Sequence, residues 1–340
     1  MNDGEKSYWR RFAAEARHLG SPLYESLALA IDDDPDLKAI AARGRAGQPH
    51  ANLLFAAVHF LLLQGAQHPL RVFYATLGGI DEGDAFAAFR DFILSHTGAV
   101  AALVETRVTN TNEVARSCVL RAGFAALAER ERTPLHMIEI GPSAGLNLIW
   151  DRYGMRYRRD GAVVAQIMPD APLVLECELR GARTPPFATT PVIAARIGLE
   201  RDPVALSDAN DRQWLRALVW PDQPQRFERL DRAIALYRSQ PPEILGGDAL
   251  ALLPDVLAAV APGEAVCVYH TIAVYQFSAA MKDALHTILA TAGRPVWHLS
   301  FEFDGAKDYA LTLTRHGDGV AEPRVLAVAQ AHGGWIEWRA

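Results

Sequence analysis

The hydrophobic pattern of this chain changes near Pro134, and this change constrains the fold more than any other feature of the sequence. Before it, apolar residues recur at spacings of three and four, which predicts helices over 8–19, 22–31, 51–63, 84–95, 100–106 and 112–130. After it, short apolar runs alternate with helical stretches, an order typical of βαβ units around a parallel sheet. The sequence therefore predicts an all-helical N-terminal domain over residues 1–132 and an α/β domain over residues 133–340.

The second half carries the strand predictions, which fall at 135–140, 173–179, 191–200, 243–245, 265–270 and 296–303. Two inserts interrupt the alternation: a β-hairpin insert over about 152–182, around the turn Arg159-Asp160-Gly161, and a helical insert over about 208–240. The end, 309–314 and 325–338, predicts two strands with no helix between them. We therefore expect a mostly parallel sheet with a C-terminal antiparallel hairpin at its edge.

Composition excludes several classes of protein. Of the 340 residues, 50% are hydrophobic and 22% are charged, which is typical of a globular chain, and a net charge of -6 gives no general attraction for nucleic acid or anionic membranes. The longest apolar run, 51–63, is too short to span a bilayer, and residues 1–12 lack the hydrophobic stretch of a signal peptide. Cys118, Cys177 and Cys267 are widely spaced, which predicts free thiols. We expect a soluble, cytoplasmic protein.

The segment Glu139-Ile-Gly141-Pro-Ser143-Ala-Gly145-Leu-Asn147 lies at the end of the first predicted strand and opens a helix. Such a glycine turn lets a ligand approach the backbone and the free N–H groups of the helix. A dinucleotide site is a poor match, because Ser143 and Leu146 replace two of its glycines. A hydrolase elbow, G-x-S-x-G, does match, and Asp248 and His270 follow in the order of a catalytic triad. A long predicted helical stretch precedes the turn, where a hydrolase would have strands.

The same segment resembles the first motif of class I S-adenosylmethionine-dependent methyltransferases, an acidic residue followed by spaced glycines. Later signals follow in the matching order: Glu200 ends the next core strand, where a carboxylate accepts ribose hydroxyls, and Gly247-Asp248-Ala249 resembles the motif whose Asp binds the adenine amino group. The resemblance implies a Rossmann-like methyltransferase sheet and a cofactor site formed by Glu139, Gly141, Ser143, Gly145, Asn147, Glu200 and Asp248. Purely structural alternatives stay open, namely a tight turn for the glycines and helix or turn caps for Glu200 and Asp248.

Short motifs along nearly the whole chain resemble a bacterial family, domain of unknown function 2332. They are Pro49-His-Ala-Asn-Leu-Leu54, Thr111-Asn-Glu113-Val-Ala-Arg116, residues 139–148, Trp220-Pro-Asp-Gln223, Gly247-Asp-Ala249 and His332-Gly333. The chain departs from the family pattern at Glu200, where Asp is more frequent, and at Asn110, where we expect Gln. The resemblance implies a shared fold and carries no established activity.

The candidate reaction centre is the end of the strand Val266-Cys-Val-Tyr269-His270, because ligands gather at the carboxyl ends of parallel strands. A histidine there titrates near neutral pH, so His270, with Tyr269 or Tyr275, is predicted to face the transferable methyl group as a base. A histidine bonded to a neighbouring loop is the structural alternative. Asn112, Glu113 and Arg116 share a helical face and are predicted to contact the substrate, or to form an internal ion pair.

The remaining polar clusters give weaker signals. The stretch from Arg152 to Arg159 is rich in arginine and tyrosine, which predicts either a phosphate or RNA contact or a solvated hairpin face. The histidines show no ligand spacing such as H-E-x-x-H, so no metal is predicted. The leading interpretation is a methyltransferase that uses S-adenosylmethionine on a small or medium-sized acceptor. The alternatives are a non-catalytic ligand-binding protein on the same scaffold and a serine hydrolase that uses Ser143. The sequence leaves the oligomeric state open.

Overall fold

The computed structural model describes residues 7–110, 112–305, 308–317 and 322–340. The first six residues, on which the expectation about a signal peptide partly rests, and Thr111 of the family motif lie outside the described residues. The chain divides into two compact units. One, called here the helical unit, comprises Met1–Thr111 and Ala205–Asp231; the other, the sheet unit, comprises Asn112–Val204 and Arg232–Ala340.

In the helical unit the described elements are helices, and the sequence marks their starts. Side chains of Ser7, Ser21, Asp34 and Asp208 accept backbone N–H bonds at the first turns. The α-helices are α1 (Tyr8–His18), α2 (Pro22–Ile31), α3 (Pro35–Ala41), α4 (His50–Leu63), α5 (Phe86–Ser95), α6 (Thr97–Thr106) and α8 (Ala209–Ala217); short 3-10 helices cover Pro69–Phe73 and Ala75–Leu77.

The core of the helical unit surrounds α4, which is mostly apolar and buried along most of its length. Phe55 of α4 stacks on Tyr24 with ring centroids 4.2 Å apart. Trp214 and Trp220, from the insert after residue 204, are buried in the same apolar cluster. This burial explains why the insert belongs to the helical unit, although segments of the sheet unit precede and follow it along the chain.

The sheet unit contains an eleven-stranded sheet in the order β3-β2-β4-β11-β10-β9-β8-β7-β1-β5-β6. The block β6-β5-β1-β7-β8 is parallel, and β8-β9-β10-β11 is antiparallel. The strands are β1 (Leu135–Ile140), β2 (Gly154–Arg159), β3 (Ala162–Ile167), β4 (Val174–Arg180), β5 (Ile193–Glu200), β6 (Glu243–Gly246), β7 (Ala265–Thr271), β8 (Val296–Phe303), β9 (Tyr309–His316), β10 (Arg324–Ala329) and β11 (Trp335–Trp338). The expected mixed α/β architecture with a mostly parallel sheet is confirmed.

Helices cover this sheet. Gly123 of α7 (Arg116–Ala128) approaches β8 so closely that an added Cβ would lie 2.8 Å from a methyl carbon of Leu299. The apolar core formed by Ile138, Val268 and Val296 packs instead against α10 (Ala249–Ala259) and α11 (Ala279–Ala290). Because α7 packs on the sheet, residues 112–128 belong to the sheet unit, whereas the sequence pattern groups them with the helical domain. The helix α9 (Pro224–Ser239) is divided between the units.

The C-terminal hairpin is not at the sheet edge, so that prediction is wrong. The segment 325–338 forms two strands, β10 and β11, because the chain turns between Gln330 and Gly334. The last of them pairs in parallel with β4, Trp335 opposite Glu178, so the β-hairpin insert continues the sheet beyond it. Without β4, β11 would be an edge strand with unpaired backbone N–H and C=O groups, and such an edge accepts a further strand. The pairing uses backbone groups, so the hydrophobic pattern of the sequence does not predict it.

The sequence pattern also predicts helices at about 144–153 and 273–291, and these two and the helix predicted over 112–130 begin or wind differently in the structure. The stretch after the glycine turn is a 3-10 helix, Leu146–Arg152, and the segment after β7 forms a 3-10 turn, Val274–Gln276, before α11 begins. The helix α7 begins at Arg116, so Asn112 and Glu113 precede it rather than sharing its face. Among the described residues no single helix is long and apolar enough to cross a membrane; the pair α5 and α6, bent by 87°, meets that criterion only when both are counted together.

Candidate functional site

The centre of the parallel block is the place where the strand order reverses. Strand β1 pairs with β5 on one side and with β7 on the other, and β6 lies beyond β5. Glu139 of β1 stands opposite Gly198 of β5 and Tyr269 of β7. In open α/β sheets the crevice for a ligand lies beyond the carboxyl ends of the strands at such a reversal. The turns that follow β1, β5, β6 and β7 are therefore the candidate site.

The turn after β1 has an unusual backbone. Gly141, Ser143 and Gly145 have φ values of 68°, 55° and 78°, so Ser143 adopts a left-handed conformation that non-glycine residues seldom use. A Cβ on Gly141 would lie 2.8 Å from the Cβ of Ala273, so this turn touches the loop after β7. In that loop Ile272 also has a positive φ, 51°. A non-glycine residue with such a φ typically carries about 1–3 kcal/mol of strain, and residues of this kind cluster at functional sites. Nothing in the sequence indicated that Ile272 is one of them.

Polar contacts join the β1 turn to the end of β5. The backbone N–H of Ser143 donates to Oε2 of Glu200 at 2.7 Å. Nδ2 of Asn112 donates to the Ser143 hydroxyl at 2.7 Å, and its Oδ1 accepts the N–H of Ala144 at 3.1 Å. Asn112 thus bonds the turn after β1, and its predicted contact with the substrate stays a prediction. No hydrogen bond among the described residues joins Ser143 to His270 or Asp248, the other two members of the hypothetical triad.

Asp248 follows β6, whose Gly246 stands opposite Glu200, so the two carboxylates lie at the same edge of the sheet. The Asp248 side chain is exposed and accepts the N–H of Leu250 at 2.8 Å, capping α10. Asn147, by contrast, is buried, and its side-chain oxygen accepts a hydrogen bond from the Ser117 hydroxyl of α7 at 2.9 Å.

Glu139 is fully buried on the α7 side of the sheet. The Tyr269 hydroxyl, also buried, donates to its Oε2 at 3.2 Å. Burial raises the pKa of Glu139 to about 8, against the opposing effect of the Tyr269 hydrogen bond. Glu139 is therefore mostly a neutral acid at pH 7, and Tyr269 contacts this acid in the core.

Arg116 and Glu113 are both buried, and Arg116 contacts the end of β7. Nε of Arg116 donates to the carbonyl of Ala331 at 2.8 Å, and Nη1 donates to that of Thr271 at 3.2 Å. Gly333 of the family motif has a φ of 71°, and a Cβ there would lie 2.3 Å from the carbonyl oxygen of Ala115. The motifs around 116 and 333, distant in sequence, thus meet where α7 begins.

His270 is buried on the opposite face of the sheet from Glu139, and both of its ring nitrogens have partners. Nδ1 lies 2.7 Å from Oε1 of Glu302, and Nε2 lies 3.0 Å from Nε2 of His298. Oε1 of Glu302 also accepts the N–H groups of Ala273 and Val274, both at 3.0 Å. Burial opposes ionisation of Glu302, but these donors hold its pKa below the usual value. Tyr275, in the next turn, is 60% exposed.

Sequence analysis missed a histidine cluster near His270. His286 of α11, His298 of β8 and His316 of β9 each offer a ligand atom, and these atoms lie within 4.8 Å of one another. Burial lowers the pKa of His298 and of His316. No local spacing signals the cluster, because each histidine comes from a different element.

The stretch from Arg152 to Arg159 does not offer aromatic rings for stacking. Tyr153 and Tyr157 are buried, and their hydroxyls donate to the carbonyls of Leu146 and Cys118. Its guanidinium groups have protein partners: Arg156 and Arg158 bond Glu176, Arg152 bonds the carbonyl of Gln240, and Arg159 bonds that of Arg183. This partnering weakens the nucleic-acid interpretation, because both the charges and the ring faces are already engaged.

Two shallow pockets lie away from the strand reversal. One is lined by Arg158, Glu176 and Gly334, and the other by Arg152, Arg196 and Glu243 at the amino ends of β5 and β6. Neither includes a residue of the turn after β1. Strained backbone and buried ionisable groups converge instead at the strand reversal, as is typical of functional sites.

Comparison with known proteins places the whole chain in one family. No curated protein matches the chain. The family model described as an uncharacterized protein conserved in bacteria (DUF2332) matches residues 6–338, which is nearly the full length. The chain therefore belongs to the DUF2332 family.

Proposed function

We propose that the sheet unit binds S-adenosylmethionine at the carboxyl ends of β1, β5 and β6 and transfers its methyl group to a small or medium-sized acceptor. The observation that carries this proposal is the order of the acidic side chains. Glu139 is the second-last residue of β1, Glu200 ends β5 and Asp248 follows β6, so the three acidic residues lie at or near the carboxyl ends of neighbouring parallel strands, beside a glycine turn. The order β6-β5-β1-β7-β8 also corresponds to the 3-2-1-4-5 order of doubly wound nucleotide-binding sheets.

The residues at this edge have polar atoms left for such a ligand. One oxygen of Glu200 holds the Ser143 N–H, and the other, whose contact to the N–H of Asp202 is 3.4 Å, is available for a ribose hydroxyl. One oxygen of Asp248 caps α10, which leaves the second for an adenine amino group. Gly145 is buried beside Ile244, so the turn has no room for a larger side chain.

When bound, the cofactor supplies a methyl group already activated on a sulfonium, so the protein must chiefly orient the acceptor and exclude water. A base is needed only if the acceptor loses a proton. Both nitrogens of His270 are bonded to side chains, so we assign it a positioning role: through Glu302 it fixes the loop of Ala273 and Val274. The exposed Tyr275 follows that loop and is the better candidate to contact an acceptor.

Calorimetry with S-adenosylmethionine and S-adenosylhomocysteine tests the proposal. Asp248→Ser keeps a good helix cap but removes the carboxylate, and we expect at least about tenfold weaker binding from the lost charged hydrogen bond. Asp208→Ser, at the cap of α8, is the matched control and should bind as the parent does. If the folded protein binds neither ligand, the proposal fails. Binding without turnover on any acceptor would favour the non-catalytic alternative.

One observation favours the hydrolase alternative: Ser143 has a positive φ at the end of a strand, as a nucleophile on a sharp turn would. Against it, the Ser143 hydroxyl is held by Asn112 rather than by a histidine. A fluorophosphonate probe should leave Ser143 unlabelled. Stoichiometric labelling that is lost in Ser143→Ala would replace the methyltransferase proposal.

A further inference from the structure

Three histidines converge on one face of the sheet, in a place that the proposed methyl transfer does not use. His298 of β8 lies on the same face as Val296, because alternate residues of a strand share a face. Val296 belongs to the apolar core with Leu285 and Leu289 of α11. The helix α11 therefore packs on this face, and it brings His286 to the two histidines of the strands.

The register of β8 and β9 makes the arrangement specific. Val296 stands opposite His316 and His298 opposite Thr314, so the two histidines are diagonal neighbours on antiparallel strands. Their ring centroids are 5.8 Å apart, and the ring of His286 lies 6.0 Å from His298 and 6.1 Å from His316. The three rings form a nearly equilateral triangle around one point.

A second observation points to a ligand. His316 is only 4% exposed, and its Nε2 is buried without a hydrogen-bond partner among the described residues. Water therefore has little access to this nitrogen. Burying an unpaired polar nitrogen is unfavourable, so such atoms usually have a partner. An ion at the centre of the triangle would provide one.

The surroundings of His298 are those of a metal ligand with an outer partner. Its Nε2 contacts Nε2 of His270, whose Nδ1 contacts the carboxylate of Glu302. This leaves Nδ1 of His298 available for an ion. A carboxylate that fixes the orientation of a ligating imidazole is a frequent feature of metal sites, and here the carboxylate acts through one further imidazole.

We propose that His286, His298 and His316 bind a divalent transition-metal ion of the zinc class, with His270 as the positioning residue of His298. Three imidazole ligands and one open position are the ligand set of many zinc sites, and tetrahedral Zn–N bonds of about 2.0–2.1 Å separate ligand nitrogens by about 3.4 Å. The ligand atoms of the three histidines lie within 4.8 Å of one another, so a bound ion would draw these side chains closer together. His286 is exposed, so the ion enters from solvent and the fourth position takes water or an anion.

The test uses the full chain without an affinity tag, freed of metal by a chelator. Zn²⁺ binding is measured by calorimetry, and Co²⁺ binding by visible absorption, which reports tetrahedral coordination. We expect one ion per chain and intense Co²⁺ bands. His286→Ala, at an exposed position of α11, should weaken Zn²⁺ binding by about tenfold or more while the circular dichroism spectrum is unchanged. His18→Ala, an exposed histidine of α1, is the matched control and should bind as the parent does.

Two further variants separate ligation from folding. His316→Gln removes an imidazole but keeps a polar side chain, and it should abolish the tetrahedral Co²⁺ bands. His270→Gln should weaken Zn²⁺ by about 10–100-fold and shift the bands, as loss of an outer-shell partner does. The proposal is overturned if the folded parent gives no tetrahedral Co²⁺ spectrum, or if His286→Ala binds Zn²⁺ as tightly as the parent. An equal loss in His18→Ala would also overturn it, because binding would then be adventitious. None of these outcomes depends on S-adenosylmethionine.

Discussion

The buried carboxyl group of Glu139 should make the stability of the sheet unit depend on pH in an unusual direction. Burial raises the pKa of Glu139 from an ordinary 4.5 to about 8, so the folded state holds a proton that the unfolded state releases. The stabilisation is complete below about pH 4.5 and is lost as the pH rises through about 8. Each pH unit between these values removes about 1.4 kcal/mol, or about 3 kcal/mol by pH 7.

Glu139→Gln resembles the neutral acid and does not titrate. We expect the difference in unfolding free energy, Glu139→Gln minus parent, to grow by about 1.4 kcal/mol per pH unit between about pH 5 and 7.5. Urea unfolding measures the difference, and amide hydrogen exchange in β1 and β7 locates it in the sheet unit. Tyr269→Phe is the matched control: it keeps Glu139 but removes the hydrogen bond that stabilises the carboxylate, so the loss of stability should extend to higher pH. A difference that stays constant with pH would refute the reasoning, because Glu139 would then ionise at an ordinary pKa.

Two further predictions concern packing and the helical unit. Gly333→Ala should destabilise the protein by about 2 kcal/mol or more, because its Cβ would lie 2.3 Å from the carbonyl oxygen of Ala115; Gly161→Ala, with a similar φ and nothing within 4 Å, should cost only about 1 kcal/mol in urea unfolding. His59 is buried between the carbonyl of Ala217 and a threonine hydroxyl, and burial lowers its pKa to about 4. Its contribution is present above about pH 6.5 and falls by up to about 3 kcal/mol as the pH drops towards 4, so the protection factors of α4 amides, which correct exchange rates for their intrinsic pH dependence, should fall with acid. Equal costs at the two glycines, or protection factors in α4 that do not change with acid, would contradict these predictions.

The sequence by itself determined where most of the elements of this protein form. Hydrophobic period is a local property, so the runs that became β1, β5, β7 and β8 were predicted within a few residues, as were most of the helices. The order of Glu139, Glu200 and Asp248 along the chain also sufficed to place them at neighbouring strand ends, because parallel strands joined by crossovers bring their carboxyl ends to one edge.

Only the tertiary structure decided which distant segments meet. The pairing of β11 with β4 uses backbone groups that every strand has, so no side-chain pattern could predict that the insert extends the sheet. The histidines at 286, 298 and 316 come together only through the register of β8 and β9 and the packing of α11. The strain at Ile272 and the raised pKa of Glu139 likewise arise from neighbours in space. Burial and backbone conformation at these positions depend on contacts across the fold, and the order of residues along the chain does not specify them.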